Sequence, residues 1–500
     1  MIRLRIMLLF IVLSSIAHAR CAIYYHESPL TQQNDDAVAH LLDTASSCPQ
    51  SIQSFQHLIQ KNQLQIKTSM VANRGKNNPH LGSFSFFESI NGTLLTGFHI
   101  KPGDLYLGYF TALAKDEIQL DQSSESKKLL IELIAWDNQK KLYNFYELRG
   151  LDSVKTRWYY RGDSNDALLD NQYLYRTPPA NSAKFGRRMR CSACHNSGGP
   201  ILKEIQSPHN DWWRYSNKLI FLPNHLDDEV NELVNELVDA HVFAEEVNDG
   251  IQQLSQSAPY QQFSHSLSLQ EQLRPLFCTT EINIASNTTP GLDNPITIPS
   301  SFFLNPLLDQ VNIVIPAHAY QNLLIQNRMR FPETSQIDAD HAWLTPVNGI
   351  NDIHAILQLI KDNRITQQFA QSVLMIDYQH PLFSQQRCDL LKQVPDKSDP
   401  NWVATFIAHL QAEKEIQPAA FVLATYLSNP QKYHPAYFHQ ILSEYKQSLH
   451  KKSNTSEGQQ AIFQQLIDSR QAVFENELSK NPLGQILEPG FRVIFPKPLK

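Results

Sequence analysis

Apolar and polar residues recur with two different periods along this chain, and the change of period divides it. Across residues 66–175 short apolar and aromatic runs alternate with turn signals, the pattern of strands. Phe84-Ser85-Phe86-Phe87 leads into Asn91-Gly92, a dipeptide suited to the positive φ angles of a tight hairpin. Residues 94–100 then read as the returning strand, followed by strands at 105–110, 129–136 and 142–148, the last two flanking a second hairpin at Asp137-Asn138-Gln139-Lys140. Trp158-Tyr159-Tyr160 and Tyr173-Leu174-Tyr175 add aromatic strand segments. Evenly spaced strands with turn signals predict an antiparallel sheet or sandwich.

The helical period appears before and after this region. A short helix is expected at 37–42. Past residue 226, Val230, Leu233, Val234, Leu237 and Val238 follow an Asp227 N-cap. Ile353, Ile356, Leu357 and Ile360 form another stripe, as do Trp402, Val403, Phe406, Ile407 and Leu410 after Asp399-Pro400-Asn401. Residues 286–301 read as a turn-rich connector, 450–459 as an exposed loop, 460–478 as a last helix and 491–495 as a closing strand. The fold class is α+β: an N-terminal antiparallel β-rich domain (66–180) preceded by a helical segment (20–65), an attachment segment (181–225), and a mainly helical C-terminal region (226–500).

Composition narrows the setting. Arg3 and Arg5 precede an apolar run from Ile6 to Ile16, and Ala17-His18-Ala19 is a small-x-small cleavage pattern. Residues 1–19 therefore read as a signal peptide, too short in apolar length to span a bilayer, and the mature chain is expected to be periplasmic or secreted. Cleavage removes two Arg and no acid, moving the formal charge from −6 to −8. With no long Lys/Arg cluster, nucleic acid and anionic membranes are not expected partners. No integral membrane segment is expected after cleavage.

Six Cys are present. Cys21, Cys48, Cys278 and Cys388 allow three disulfide pairings, of which Cys21–Cys48 with Cys278–Cys388 keeps each loop within its own region; buried free thiols are the alternative. The other two Cys lie in Cys191-Ser192-Ala193-Cys194-His195. This C-x-x-C-H run is the spacing at which two thiols add to the vinyl groups of a porphyrin and the adjacent imidazole reaches the iron. A zinc half-site and a dithiol redox pair are the competing readings, but zinc wants four ligands and there is no second C-x-x-C. The surrounding sequence also lacks a clear βαβ pattern.

The run resembles the haem-attachment site of c-type cytochromes, over residues 186–213 rather than the whole chain. The resemblance implies one covalently bound haem c, with Cys191 and Cys194 as thioether cysteines and His195 as proximal axial ligand. Small c-type cytochromes commonly place a distal Met downstream. Here Met329, flanked by Arg328 and Arg330, is the candidate, with Met375 and His209 as others. Lys184, Arg187, Arg188 and Arg190 are candidate propionate partners, and Trp212 and Trp213 candidate packing for the porphyrin edge. Gly198-Gly199-Pro200 can bring backbone close to a flat ring, and Pro200 or Pro208 is expected to offer the carbonyl that holds the second nitrogen of His195. Segment 162–170 superficially resembles a calcium loop but lacks its Gly and distal Glu, and reads as a turn.

These residues predict an exported monohaem c-type cytochrome transferring electrons to a redox partner protein through Fe(II)/Fe(III) cycling. The alternatives are a peroxidase-like periplasmic oxidoreductase and a haem-bearing sensory or binding protein. No separate catalytic constellation is evident, so enzyme status stays open.

Overall fold

The computed structural model describes residues 21–32, 34–72, 84–114, 117–120, 129–151, 155–171, 195, 197–200, 226–238, 240–279, 282–285, 295–319, 322, 326, 345–396, 400–413 and 415–478. The chain is α+β, with a sheet in its first part and a helical second part. The sheet strands are β1 (Ile23–Tyr25), β2 (Ser28–Pro29), β3 (Gln65–Ala72), β4 (Phe84–Thr93), β5 (His99–Ile100), β6 (Leu105–Ala114), β7 (Glu117–Leu120), β8 (Leu129–Asp137), β9 (Leu142–Gly150) and β10 (Thr156–Asp163). They form a single sheet in the order β2-β1-β10-β9-β8-β6-β4-β3, with β5 on β4 and β7 on β6. Every pairing is antiparallel except β1 with β10. These ten strands thus make one large sheet, not the sandwich that was the alternative.

Register explains its two faces. Phe86, Tyr109, Leu133, Tyr146, Leu148 and Trp158 fall on one side, where α1 (Ala37–Thr44) and α2 (Ile52–Lys61) cover them. Asp36 caps α1 and Ser51 caps α2 through a capping box, which ends each helix where its backbone donors need acceptors. Tyr106, Ile134, Phe145 and Glu147 occupy the opposite face. There α5 (Ala240–Ser255) packs, with the Tyr106 hydroxyl donating to the Glu246 carbonyl at 2.5 Å. Between them, α3 (Ser164–Asn171) follows the sheet and α4 (Asp228–Asn235) starts at the expected Asp227 cap.

Several expectations are corrected. The chain does not reverse at Asn91-Gly92: β4 runs through it, pairing Asn91 with Gln65 and Gly92 with Ile100. The reversal comes at Gly97, where Leu94 N–H bonds the Phe98 carbonyl and Gly97 N–H the Leu94 carbonyl, both at 2.8 Å. Ladder partners on both edges of β4 outweigh the local turn preference of the dipeptide. Segment 162–170 is mostly helix rather than turn, because the Asp163 carboxylate accepts from the Asn165 and Asp166 N–H groups and starts α3. The second hairpin is as expected, with Asp137 Oδ1 holding the Gln139 and Lys140 N–H groups.

The second part contains α6 (Ala258–Ser266), α7 (Leu269–Phe277), α8 (Ile350–Lys361), α9 (Gln367–Leu374), α10 (Gln385–Asp389), α11 (Trp402–Ala412), α12 (Pro418–Ser428), α13 (Pro435–Ser453) and α14 (Ser456–Leu478), with two-stranded ladders of Ile282–Ala285 with Thr345–Asn348 and Ile296–Ile298 with Ile313–Ile315. The expected loop at 450–459 shrinks to Asn454 and Thr455, whose hydroxyl accepts from Gly458 N–H as α14 begins. Two apolar cores serve this part. Cys278 and Cys388 form a disulfide within one of them (Cα–Cα 4.5 Å), and Cys21 and Cys48 form another beside the sheet (Cα–Cα 5.0 Å). Among the described residues no helix is long and apolar enough to cross a membrane.

Candidate haem-attachment site

His195 lies on the sheet face that carries Phe145, with ring centroids 5.7 Å apart, and is 7 % exposed. Its Nδ1 is 2.8 Å from the Gly199 carbonyl oxygen. A carbonyl only accepts, so Nδ1 carries the proton and the basic lone pair of the neutral ring sits on Nε2. This is the tautomer of an imidazole that binds a metal through Nε2, oriented by a backbone acceptor behind it. The acceptor is Gly199, not Pro200 or Pro208 as expected. The chain folds back within four residues, because Gly198 N–H bonds the His195 carbonyl at 2.8 Å and Gly198 adopts φ +75°.

That turn is held from three sides. Ser164, at the start of α3, donates its hydroxyl to the Gly198 carbonyl at 2.8 Å while accepting Tyr143 N–H at 2.9 Å. The Tyr260 hydroxyl of α6 donates to the Ser197 carbonyl at 2.6 Å, and burial keeps that phenol protonated by pushing its pKa up. Pro200 approaches α5 at Gly250, where a Cβ would fall 2.6 Å from the Tyr106 hydroxyl, 2.7 Å from the Tyr143 hydroxyl and 2.8 Å from Pro200 Cγ. Only glycine leaves room for that convergence. The His195 carbonyl and the three that follow Asn196 in the turn thus include acceptors matched to a local N–H, a tyrosine, a serine and the imidazole itself.

Two residues beyond Phe145 on the same face lies Glu147, 1 % exposed. Arg161 grips it with Nε at 2.8 Å and a terminal nitrogen at 2.7 Å, and Arg149 stands 3.6 Å away. Arg161 also stacks over Tyr159 at 4.5 Å, and Arg157 over Tyr24 at 4.2 Å. A strip of guanidinium and phenol groups therefore runs from the strand carrying Phe145 across β10 to β1.

Sequence reasoning found His195 and the glycine turn, and missed Ser164, Tyr260, Gly250 and the Glu147–Arg161 pair. Nothing in their local sequence marks them, since each reaches the site through tertiary contact. Cys191, Cys194, Met329, His209, the basic residues 184–190, Trp212 and Trp213 lie outside the described residues. Met375 is described: it is buried at 4 % exposure in a C-terminal core with Phe302, Phe303 and Phe463, and serves there as core packing. Among the described residues no group of three or more His, Cys, Asp or Glu is placed to hold a metal ion.

No family model, curated protein or solved structure matches this chain. Its chemistry is therefore read from its own residues.

Two buried carboxyls lie across the sheet from His195, on the face covered by α1 and α2. Glu88 is pushed up to about 7 by burial, against hydrogen bonds from Tyr109 and Thr68. Asp36 is pushed up to about 6 by burial, against bonds from Tyr146, Ala39 and Asn144. Their hydrogen-bond partners belong to the core packing of the sheet, so they bear on stability rather than on the candidate site.

Proposed function

We propose that this chain is an exported monohaem c-type cytochrome, carrying one haem c through Cys191 and Cys194, with His195 as proximal ligand, and passing electrons to a partner protein. The observation that carries the reading is the His195 Nδ1–H bond to the Gly199 carbonyl, directly after a C-x-x-C-H run. A core histidine needs only a satisfied ring. Here the Nδ1–H bond makes Nε2 the basic nitrogen, the tautomer that suits a metal ligand, on a turn that is itself held by Ser164 and Tyr260.

The residues fit the group chemically. When bound, haem would supply a one-electron ferric/ferrous couple. The chain contributes the imidazole and fixes its proton on Nδ1. It raises ring basicity through the Gly199 carbonyl and sets apolar Phe145 beside the ring. Export to the periplasm or beyond is part of the same proposal. It is supported by the amino-terminal pattern and is consistent with the two disulfides. Haem staining after denaturing electrophoresis tests the reading. Periplasmic wild-type protein should stain, and the Cys191→Ala/Cys194→Ala double variant should not; an unstained wild type, matured beside a working attachment system, would overturn it.

A second reading is favoured by one observation. A cleft of about 730 Å³ shares Ser197 and Gly199 with the His195 turn, which suits a haem protein that also binds a small molecule.

A further inference from the structure

The cleft is bounded by α5, α6, α7 and α8, with the His195 turn forming part of its wall. Its volume of about 730 Å³ is within the range of small-molecule sites, roughly 300–1,000 Å³. The floor is aliphatic, from Leu168, Ile251, Leu254 and Leu267, while Gln252, Gln256 and Ser264 supply hydrogen-bonding groups of both senses. Of the charged side chains here, Arg274 pairs with Glu271, and Asp362 accepts from Gln358 with His265 Nε2 3.4 Å away. With Glu271, Asp352 and Asp362 set against Arg274 and Lys361, the lining has no positive surplus, so it offers little to an anion and more to a neutral molecule with an apolar body and a few polar atoms.

The wall connects this space to the imidazole. Leu254 Cδ2 lies 3.2 Å from where a Cβ on Gly199 would be, and Gly199 provides the carbonyl that holds His195. Tyr260 lines the cleft and donates to the Ser197 carbonyl. A ligand that displaces Leu254 or Tyr260 therefore acts on the hydrogen bond that sets the basicity of the imidazole.

We propose that this cleft binds an uncharged, partly apolar small molecule, and that its occupancy is coupled through Ser197 and Gly199 to His195. The coupling half rests on the haem reading above; the binding half does not. By reciprocity, a ligand that prefers one oxidation state shifts the potential by the matching amount, about 59 mV for a tenfold preference.

The test is calorimetric titration of the full mature protein with 2-naphthalenemethanol, a neutral two-ring alcohol, and with 2-naphthalenesulfonate, the same rings bearing a charge. One saturable site per chain is expected for the alcohol, with the sulfonate at least tenfold weaker. Ser264→Trp on α6 and Ala355→Trp on α8 each fill the cleft, and each should abolish binding while circular dichroism stays native. Alcohol affinity should differ at least threefold between ferric and ferrous protein, with the midpoint potential moving to match. Absence of saturable binding, equal binding of the sulfonate, or unchanged binding in a natively folded Trp variant would overturn the site. Equal affinity in both oxidation states would overturn the coupling. A chain that carries no covalent haem would end the coupling and the electron-transfer reading together, and the alcohol titration of that chain and its Trp variants would still decide the site.

Discussion

Gly198→Ala should damage this protein far more than Gly97→Ala, although both glycines have positive φ, +75° and +88°. An alanine in the left-handed region costs about 1–2 kcal/mol at either position. At Gly97 nothing lies within 4 Å of the new Cβ, so the backbone term is the whole cost. At Gly198 the Cβ would fall 2.5 Å from the Ser164 carbonyl oxygen and 2.8 Å from Ser164 Cα. Both obstacles are backbone, so the turn must move. Moving it separates the Gly198 carbonyl from the Ser164 hydroxyl, now 2.8 Å away, and a buried acceptor left unmet costs about 1–3 kcal/mol. The total is about 2–5 kcal/mol for Gly198→Ala against about 1–2 kcal/mol for Gly97→Ala. Urea unfolding followed by tryptophan fluorescence reads the difference, because Trp136 and Trp158 are buried in the sheet core. Equal midpoints for the two variants, at unchanged slope, would refute the account of how the His195 turn is held.

Three further outcomes follow from the same structure. Glu88 is raised to about 7 from an ordinary value of 4.5, so the native state holds a proton that the unfolded chain releases. Its stabilising contribution is full below pH 4.5 and is lost as pH rises through about 7, a fall of about 3 kcal/mol; Glu88→Gln should flatten that part of a urea-midpoint-against-pH curve, leaving the smaller slope of the same sign from Asp36. Ser164→Ala removes partners from the Gly198 carbonyl and the Tyr143 N–H, and should lower stability by about 2–6 kcal/mol in the same urea assay. Replacing Cys278 and Cys388 together by Ala opens a disulfide spanning 110 residues, and should cost about 4 kcal/mol of C-terminal stability by thermal unfolding, with the Cys21–Cys48 bridge intact.

Most of the fold class was legible because periodicity survives in the sequence. The strands at β6, β8, β9 and β10 and the helices α1, α4 and α11 follow their apolar spacing. What misled was local chemistry without knowledge of neighbours. Asn91-Gly92 has turn residues, yet β3 and β5 take its ladder positions. The polar stretch at 450–459 resembles a loop, but it is mostly the ends of two helices with exposed polar faces. At the candidate site, C-x-x-C-H and Gly198-Gly199 are contiguous and readable. Their supports are not, because Ser164 lies 34 residues before Gly198 and Tyr260 lies 63 after Ser197. The sheet and α6 bring them together, and no spacing rule encodes that meeting.

Intact mass spectrometry of the exported, disulfide-bonded protein tests the central claim most directly. The account predicts a species heavier than the mature polypeptide by one haem, with fragmentation placing the added mass on the peptide containing Cys191 and Cys194. A mass equal to the bare polypeptide, in cells that attach haem to a control cytochrome, would contradict it.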